Sequence, residues 1–362
     1  MLPATYLCLM IPQLVLCLAV LRRRPTPWRA LLVHGCLLLC GGVLTAMLGL
    51  FGNLLFLPMQ LAAWLVFLLW PVLLLGSAWL LRGPHPRLGW AMAALAALLL
   101  LTATWSMGIE PRWLQISTQR ISSPLIREPL RLALVADLQT DHWGRFERRV
   151  FEGLLEQEPD LVLLAGDYLQ PDDLPAWFAL LPDLQAALGP VCAQASLGCV
   201  AVRGDVDPDV WAVMFDPIQA RAVASSRTMD LGSLTVTALS PQDARSAAPP
   251  VPAVDGFHVV LGHAPDYATA GVPADLLLAG HIHGGQVRLP GYGPVLTLSR
   301  VPRGWAAGRT DLPNGGTLLV SRGLGMERGD APRLRLFCRP ELIIIDLTPA
   351  AATSPPTPGF TP

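Results

Sequence analysis

The chain has 362 residues, enough for two or three domains, and its mean hydropathy of +0.46 is high for a purely soluble protein, so part of it is expected in lipid. A net charge of -1 and a pI near 6.6 offer no basic face to replace phosphate counterions, so nucleic acid is not an expected partner. All 26 Lys+Arg residues are Arg, which excludes P-loop and Schiff-base chemistry, since both need a lysine.

Four apolar stretches, 2–21, 30–51, 54–81 and 88–105, each have about the 20 residues that a helix needs to cross hydrocarbon. They predict a multi-pass anchor over 1–105 in the cell membrane, with the lipid bilayer as a partner. The first lacks a basic run before it and is followed by further spans, so it reads as an anchor rather than a cleaved leader. Arg22, Arg23, Arg24 and Arg29 fall between the first two stretches, and Arg82 and Arg87 between the last two; positive loops stay cytoplasmic. The uncharged Gly52-Asn53 turn then lies outside, as does everything after Trp105, which makes the following domain extracytoplasmic. His34 is the only imidazole within the spans and is expected to be a hydrogen-bonded helix contact rather than part of an ion path. Cys8, Cys17, Cys36 and Cys40 read as small apolar fillers. Cys192 and Cys199 either stay free or, in an oxidising compartment, close a short loop by a disulfide.

After a linker and leading strand over 106–130, the pattern turns to short β-rich runs ending in Asp or Gly, alternating with amphipathic segments: an α/β domain over 131–348. Strands are predicted at 131–137, 161–165, 198–203, 258–262, 276–279 and 341–347, and helices at 146–157 and 173–188. Residues 241–252 and a disordered tail over 349–362 are rich in Pro, Ala and Ser without periodicity and are expected to be exposed and mobile.

Acidic and imidazole residues collect at the predicted strand ends: Asp137 after the first strand, Asp167 in Gly-Asp after the second, Asp205 in Gly-Asp after the third, His263 after the fourth, His281 and His283 in Gly-His-Xaa-His-Gly after the fifth. C-terminal strand ends of an open α/β sheet converge on one crevice, so these six can meet. Three carboxylates and three imidazoles suit Mn, Fe or Zn, and a pair of such ions is the usual arrangement for phosphate ester hydrolysis. Alternation along an extended segment is expected to put His281 and His283 on one side.

The order of these blocks resembles the calcineurin-like metallophosphoesterases, whose motifs run Asp-Xaa-His, Gly-Asp, Gly-Asn-His-Asp/Glu, His and Gly-His-Xaa-His. Gly280 to Gln286, Ser321 to Gly325 and Arg339 to Glu341 are similar to the bacterial membrane-associated branch of that family. The resemblance implies a four-layer α/β/β/α sandwich behind the four-helix transmembrane bundle, and two divalent metal ions. It implies that Asp137 and His283 hold one metal, that Asp205, His263 and His281 hold the other, and that Asp167 bridges. Two positions depart from the pattern: Gln139 stands at the family's first-block His and can offer a carbonyl oxygen to metal, and Val206 stands at the His held to assist the leaving group. Valine cannot carry a proton, so His142, Arg203 and Asp207 are the candidate catalytic substitutes.

The expected activity is that of a membrane-anchored phosphoesterase hydrolysing a phosphodiester or a diphosphate through a metal-bound hydroxide. The anchor suggests a lipid-linked substrate. The alternative is a metal-binding scaffold of the same fold without turnover, motivated by Gln139 and Val206.

Overall fold

The computed structural model describes residues 2–52 and 56–350, and the chain divides into two compact units, Met1–Ile109 with Glu327–Leu334 and Glu110–Met326 with Arg335–Pro362. The first unit contains α1 (Leu2–Arg23), α2 (Pro27–Gly52), α3 (Leu57–Trp64), α4 (Trp70–Leu81) and α5 (Pro86–Ala103). Pro27 and Pro86 each begin a helix, where the missing N–H costs nothing. Pro71 sits one residue into α4, and without its N–H the hydrogen-bond ladder widens just before it: Leu65–Leu69 is a π turn, with Trp70 N–H donating to Leu65 O. The stretch Leu57–Leu81 is therefore one span with a bulge. Four stretches, Ala4–Arg23, Pro27–Leu50, Leu57–Leu81 and Pro86–Arg112, are long and apolar enough to cross a membrane. The expected Gly52-Asn53 turn and the start of the third span at Leu54 lie outside the fully described residues.

His34 is buried, and both ring nitrogens are used. Trp70 Nε1, which can only donate, reaches its Nδ1 at 3.1 Å, and its Nε2 then donates to Ser77 Oγ at 3.1 Å. It is a contact among helices.

Among its described residues the second unit has fourteen strands: β1 (Gln115–Ser123), β2 (Leu130–Val135), β3 (Leu161–Leu164), β4 (Gly198–Val202), β5 (Ala220–Val223), β6 (Arg227–Asp230), β7 (Thr235–Ala238), β8 (His258–Leu261), β9 (Leu276–Ala279), β10 (Arg288–Leu289), β11 (Gly293–Pro294), β12 (Gly308–Asp311), β13 (Thr317–Val320) and β14 (Glu341–Pro349). Twelve of them form two mixed six-stranded sheets, ordered β1-β14-β2-β3-β4-β5 and β12-β13-β9-β8-β7-β6. The leading strand is part of the first sheet: β1 pairs in parallel with β14 over nine residues, from Gln115 opposite Glu341 to Ser123 opposite Pro349. Residue 349, placed in the tail by its composition, ends that strand, and the tail from 351 lies outside the described residues.

Period-two alternation fixes the layers. In β2 and just after it, Leu132, Leu134 and Ala136 face the apolar layer shared with Val236, Val259, Leu261 and Leu278 of the other sheet, while Ala133 and Val135 face the opposite side. That opposite side is covered by α6 (Arg145–Glu156) and α7 (Leu174–Gln194). Over the second sheet the outer layer is thin, made of the four-residue α8 (Pro241–Ala244) and 3₁₀ turns such as Asp266–Ala270, whose Tyr267 and Ala268 are buried. α7 runs on past Pro182 and Pro190 instead of stopping at 188. It also has the length and hydropathy of a membrane span, yet Trp177, Leu181, Leu184 and Leu188 are in the core. Where it ends, Cys192 and Cys199 are joined by a disulfide.

Candidate metal centre

β2, β3 and β4 run parallel, as do β8 and β9, so each set delivers its C-terminal residues to one end of its sheet. Asp137, Asp167 and Asp205 follow the first set; His263, His281 and His283 follow the second. The chain reverses sharply at these positions: Asp137 (φ 52°), Gln139 (35°), Asp167 (56°), His281 (69°) and His283 (52°) all have left-handed backbone. L-residues adopt that region at a cost of roughly 1–3 kcal/mol each, and such strain gathers where function fixes a side chain.

The expectation that His281 and His283 share one face of an extended segment is corrected. β9 ends at Ala279, both histidines are left-handed, and the backbone turns between them. They join different groups. Asp205, His263 and His281 form one set of three, Asp137, Asp167 and His283 another, and within each set the donor atoms lie within 4.8 Å of one another. His281 Nδ1 is 2.9 Å from Asp205 Oδ2, and His263 Nε2 is 3.4 Å from the same oxygen. His263 Nε2 is also 3.2 Å from Asp167 Oδ2, so Asp167 faces both sets.

Several contacts orient these donors. His263 Nδ1 lies 2.7 Å from the carbonyl of Ala165; a carbonyl only accepts, so Nδ1 carries a proton and Nε2 is the nitrogen directed at the cluster. Asp137 accepts from the His281 backbone N–H with both oxygens at 3.0 Å. Val206 N–H donates to Asp167 Oδ1 at 2.9 Å, and the buried Gln139 donates through Nε2 to Asp167 Oδ2 at 3.4 Å. Glycine is required at two close approaches. At Gly166 (φ +91°) a Cβ would lie 2.5 Å from Gly204 N, and at Gly323 (φ +69°) it would lie 2.8 Å from Asp137 Cβ and 3.2 Å from His283 Nδ1.

The three residues expected to replace the missing acid are held in different ways. The His142 ring is 70% exposed and bonds Asp141 at 2.9 Å. Arg203 donates twice to the carbonyl of Asp207, at 3.0 and 2.8 Å, and pairs with exposed Asp209. Asp207 is buried, and its oxygens accept from the backbone N–H groups of Asp167 (2.8 Å), Tyr168 (2.9 Å) and Gly204 (2.8 Å). That carboxylate ties the Asp167 turn to the Asp205 turn. Sequence reasoning missed Arg245, which bonds Asp205 Oδ2 through Nη2 and comes within 3.4 Å of His281 Nε2. It lies in 241–252, expected to be mobile, where only the Ser-Pro-Gln-Asp cap of α8 signals order.

Electrostatically, the cluster is strained by its own charges. Burial lifts Asp137 to about 7 against the pull of His263, and burial beside Asp167 lifts Asp207 to about 7. Burial, with the Arg335 charge adding, pushes His283 down to about 3. Burial works against the ionised forms of Asp205, Asp167 and His263 as well, but their mutual contacts prevail, holding both carboxyls below and the imidazole well above their ordinary values.

This donor set fits divalent metal. Buried carboxylates and imidazoles are drawn together, His283 Nδ1 is buried with no hydrogen-bond partner among the described residues, and the second contacts that fix a ligand's orientation are in place.

Residues 130–285 match the family described as calcineurin-like phosphoesterase. The chain is similar to the uncharacterized metallophosphoesterase YkuE of Bacillus subtilis, 27% identical over 256 residues that cover 66% of this chain and 87% of that one. It is similar in the same degree to the phosphodiesterase YaeI of Escherichia coli, 27% identical over 259 residues, 66% of this chain and 90% of that one. A third relative is the uncharacterized metallophosphoesterase Cj0846 of Campylobacter jejuni, 24% identical over 64% of this chain and 63% of the relative.

Proposed function

The chain carries a calcineurin-like metallophosphoesterase domain, that of a hydrolase, and from it we propose that the protein is a membrane-anchored, extracytoplasmic phosphoesterase acting on a lipid-linked phosphodiester or diphosphate. One observation carries this reading: two sets of three ligand side chains joined through Asp167, whose Oδ2 lies 3.2 Å from His263 Nε2. Asp137, Asp167 and His283, with Gln139 beside them, would hold one divalent ion, and Asp205, His263 and His281 the other. Such ions, when bound, polarise phosphoryl oxygens and make water nucleophilic at neutral pH.

The residues of the chain account for the rest. Asp207 is a positioning residue, holding the Asp167 turn through three backbone donors. Val206 fixes Asp167 by its N–H and has no proton to give, which favours a substrate whose leaving group needs no acid, as a diphosphate does. Two features support the location and substrate. The Cys192–Cys199 disulfide suits an oxidising compartment. The segment after His283, which packs on Gly285 through Pro294 and Leu296, exposes Tyr292, Val295, Leu296 and Leu298, an apolar rim suited to an acyl or prenyl chain.

The test is turnover by the purified full chain with Mn²⁺ on an activated phosphodiester, a soluble diphosphate and an isoprenyl diphosphate, with elemental analysis for bound metal. Preference for the isoprenyl diphosphate, and turnover abolished by Asp167→Ala with His281→Ala, is the expected result. Bound metal without turnover on any of the three would overturn the reading in favour of a scaffold.

A further inference from the structure

Arg245 has a fixed root and a partly exposed head. Ala244 before it is fully buried beside Tyr267 and Gly262, and Ser240 caps the short α8 through Asp243 N–H at 3.2 Å. The Arg245 side chain nevertheless remains 40% exposed, and its Nη2 rests on Asp205 Oδ2 and near His281 Nε2. Arg245 also lines a cleft of about 370 Å³ with Asp266, Leu298, Ser299 and Arg300. Asp266 anchors the far wall, its carboxylate accepting from Arg300 N–H at 3.1 Å and Ser299 Oγ at 3.3 Å. Leu298 is held there in left-handed backbone (φ 49°) and is 43% exposed, an unfavourable choice for a leucine in both respects.

Two arginines and one exposed leucine lining a cleft beside the ligand cluster describe a binding site for an anion with an apolar substituent. We propose that Arg245, with Arg300, grips the phosphoryl group of the substrate in this cleft, Leu298 taking its apolar part, and that Arg245 does so by giving up Asp205. The proposal rests on the phosphoesterase reading above and names the residue that meets the substrate's charge. Asp205 Oδ2 is contacted by the guanidinium and is also a donor of the Asp205, His263, His281 set. Two cations repel across one oxygen, so Arg245 and a divalent ion compete for it, whereas Arg245 and phosphate attract. The released guanidinium places positive charge beside the reacting phosphate, which Val206 cannot supply.

The two roles predict changes of opposite sign in one variant. In the full chain in detergent, Arg245→Ala should bind Mn²⁺ several-fold more tightly by calorimetry, and, with Mn²⁺ present, bind inorganic phosphate about tenfold more weakly, the loss of one charge-assisted contact. A purely structural role would weaken both. Arg245→Gln, which keeps much of the length but not the charge, should follow the same pattern and serves if the alanine variant fails to fold. Unchanged phosphate affinity in the folded variants, or weakened Mn²⁺ binding, overturns the assignment of Arg245 alone. If the unaltered protein binds neither Mn²⁺ nor phosphate, the phosphoesterase reading itself falls and this inference falls with it.

Discussion

Two buried polar clusters lie side by side in the second unit and are built on opposite principles. Arg335 is fully buried, and its guanidinium is met by backbone carbonyls: Nε by Gly325 (3.0 Å), Nη1 by Cys338 (3.0 Å), and Nη2 by Arg322 (2.9 Å), Gly323 (3.1 Å) and Gly325. In the neighbouring cluster, carboxylates are pressed together, His283 Nδ1 is unbonded among the described residues, and five residues hold left-handed backbone. Gly323 belongs to both, giving its carbonyl to Arg335 and its missing side chain to Asp137 and His283. A buried polar group that serves the fold is fully bonded; one kept for chemistry retains an unspent donor or lone pair, and its strain is carried by the rest of the structure.

If that contrast holds, substitutions in the two clusters should separate activity from stability. The largest effect expected is on turnover. Asp137→Asn should reduce it by more than the about 10–100-fold typical of groups that merely support a ligand. The same change should not cost stability in protein stripped of metal. Asp137 is raised from 3.8 to about 7, so between those values the folded state binds the proton more readily than the unfolded state, and stability falls as pH rises through that window. Removing the carboxylate therefore removes a liability above pH 7 and little near pH 4. Melting curves of chelated protein should place the variant at or above the parent at pH 8, converging on it in acid; a lower melting temperature at pH 8 would break the comparison.

Arg335→Met should behave in reverse. The carbonyls of Gly325, Cys338, Arg322 and Gly323 would lose their shared donor, at a cost of at least about 3 kcal/mol for several buried acceptors left unpaired. Denaturant unfolding checks this, and a cost under about 1 kcal/mol would mean that water replaces the guanidinium. The Arg335 charge also bears on His283, so metal affinity in the variant should change, but far less than in Asp137→Asn, because Arg335 is in neither donor set.

How far this contrast was legible in the sequence follows from what each cluster needs. The six candidate Asp and His ligands were readable because a glycine or an apolar strand precedes five of them, His283 follows in Gly-His-Xaa-His, and strand order is a one-dimensional property. The Arg335 cradle was not, since its partners are carbonyls, which every residue has. Arg245 was hidden in a Pro-, Ala- and Ser-rich stretch whose order comes from one capped turn and the burial of Ala244. His281 and His283 were assigned to one face because period two applies only while the strand lasts, and β9 ends at Ala279. The hold of Asp207, a candidate acid, on three N–H groups was not legible, because a carboxylate two residues from Asp205 gives no sign of turning inward. A four-residue strand is too short for its alternation to register, so β5, β6, β7, β12 and β13 were not predicted, nor were the two-residue β10 and β11, whereas β3, β8 and β9, no longer, stood out by the Gly-Asp and Gly-His motifs that close them. In α7, Pro190 obscured a helix that tertiary packing sustains.

The smallest effect expected compares two buried histidines of the same unit. His258 is bonded at both nitrogens, unlike His283: its Nδ1 is 3.0 Å from the Pro273 carbonyl, so Nδ1–H donates, and Nε2 accepts from Thr237 Oγ1 at 2.7 Å. Thr237 in turn accepts from Thr228 at 2.9 Å, so protonating His258 would require the Thr237 and Thr228 hydroxyls to reverse. Burial lowers the His258 pKa below 6.5, with the Pro273 carbonyl and Asp275 opposing in part. Below 6.5 the unfolded chain takes up a proton that the folded chain refuses, so the stability contributed by neutral His258 is complete above pH 6.5 and is lost as pH falls towards its folded value. The slope for one group is at most about 1.4 kcal/mol per pH unit. His258→Gln should start less stable at pH 7.5 because the Pro273 and Thr237 contacts are disturbed, yet lose less of its melting temperature between pH 6.5 and 5 than the parent. Parallel pH profiles for the two would mean that the histidine is protonated and rebonded in the fold, and that full hydrogen bonding at neutral pH is not by itself the mark of a structural histidine.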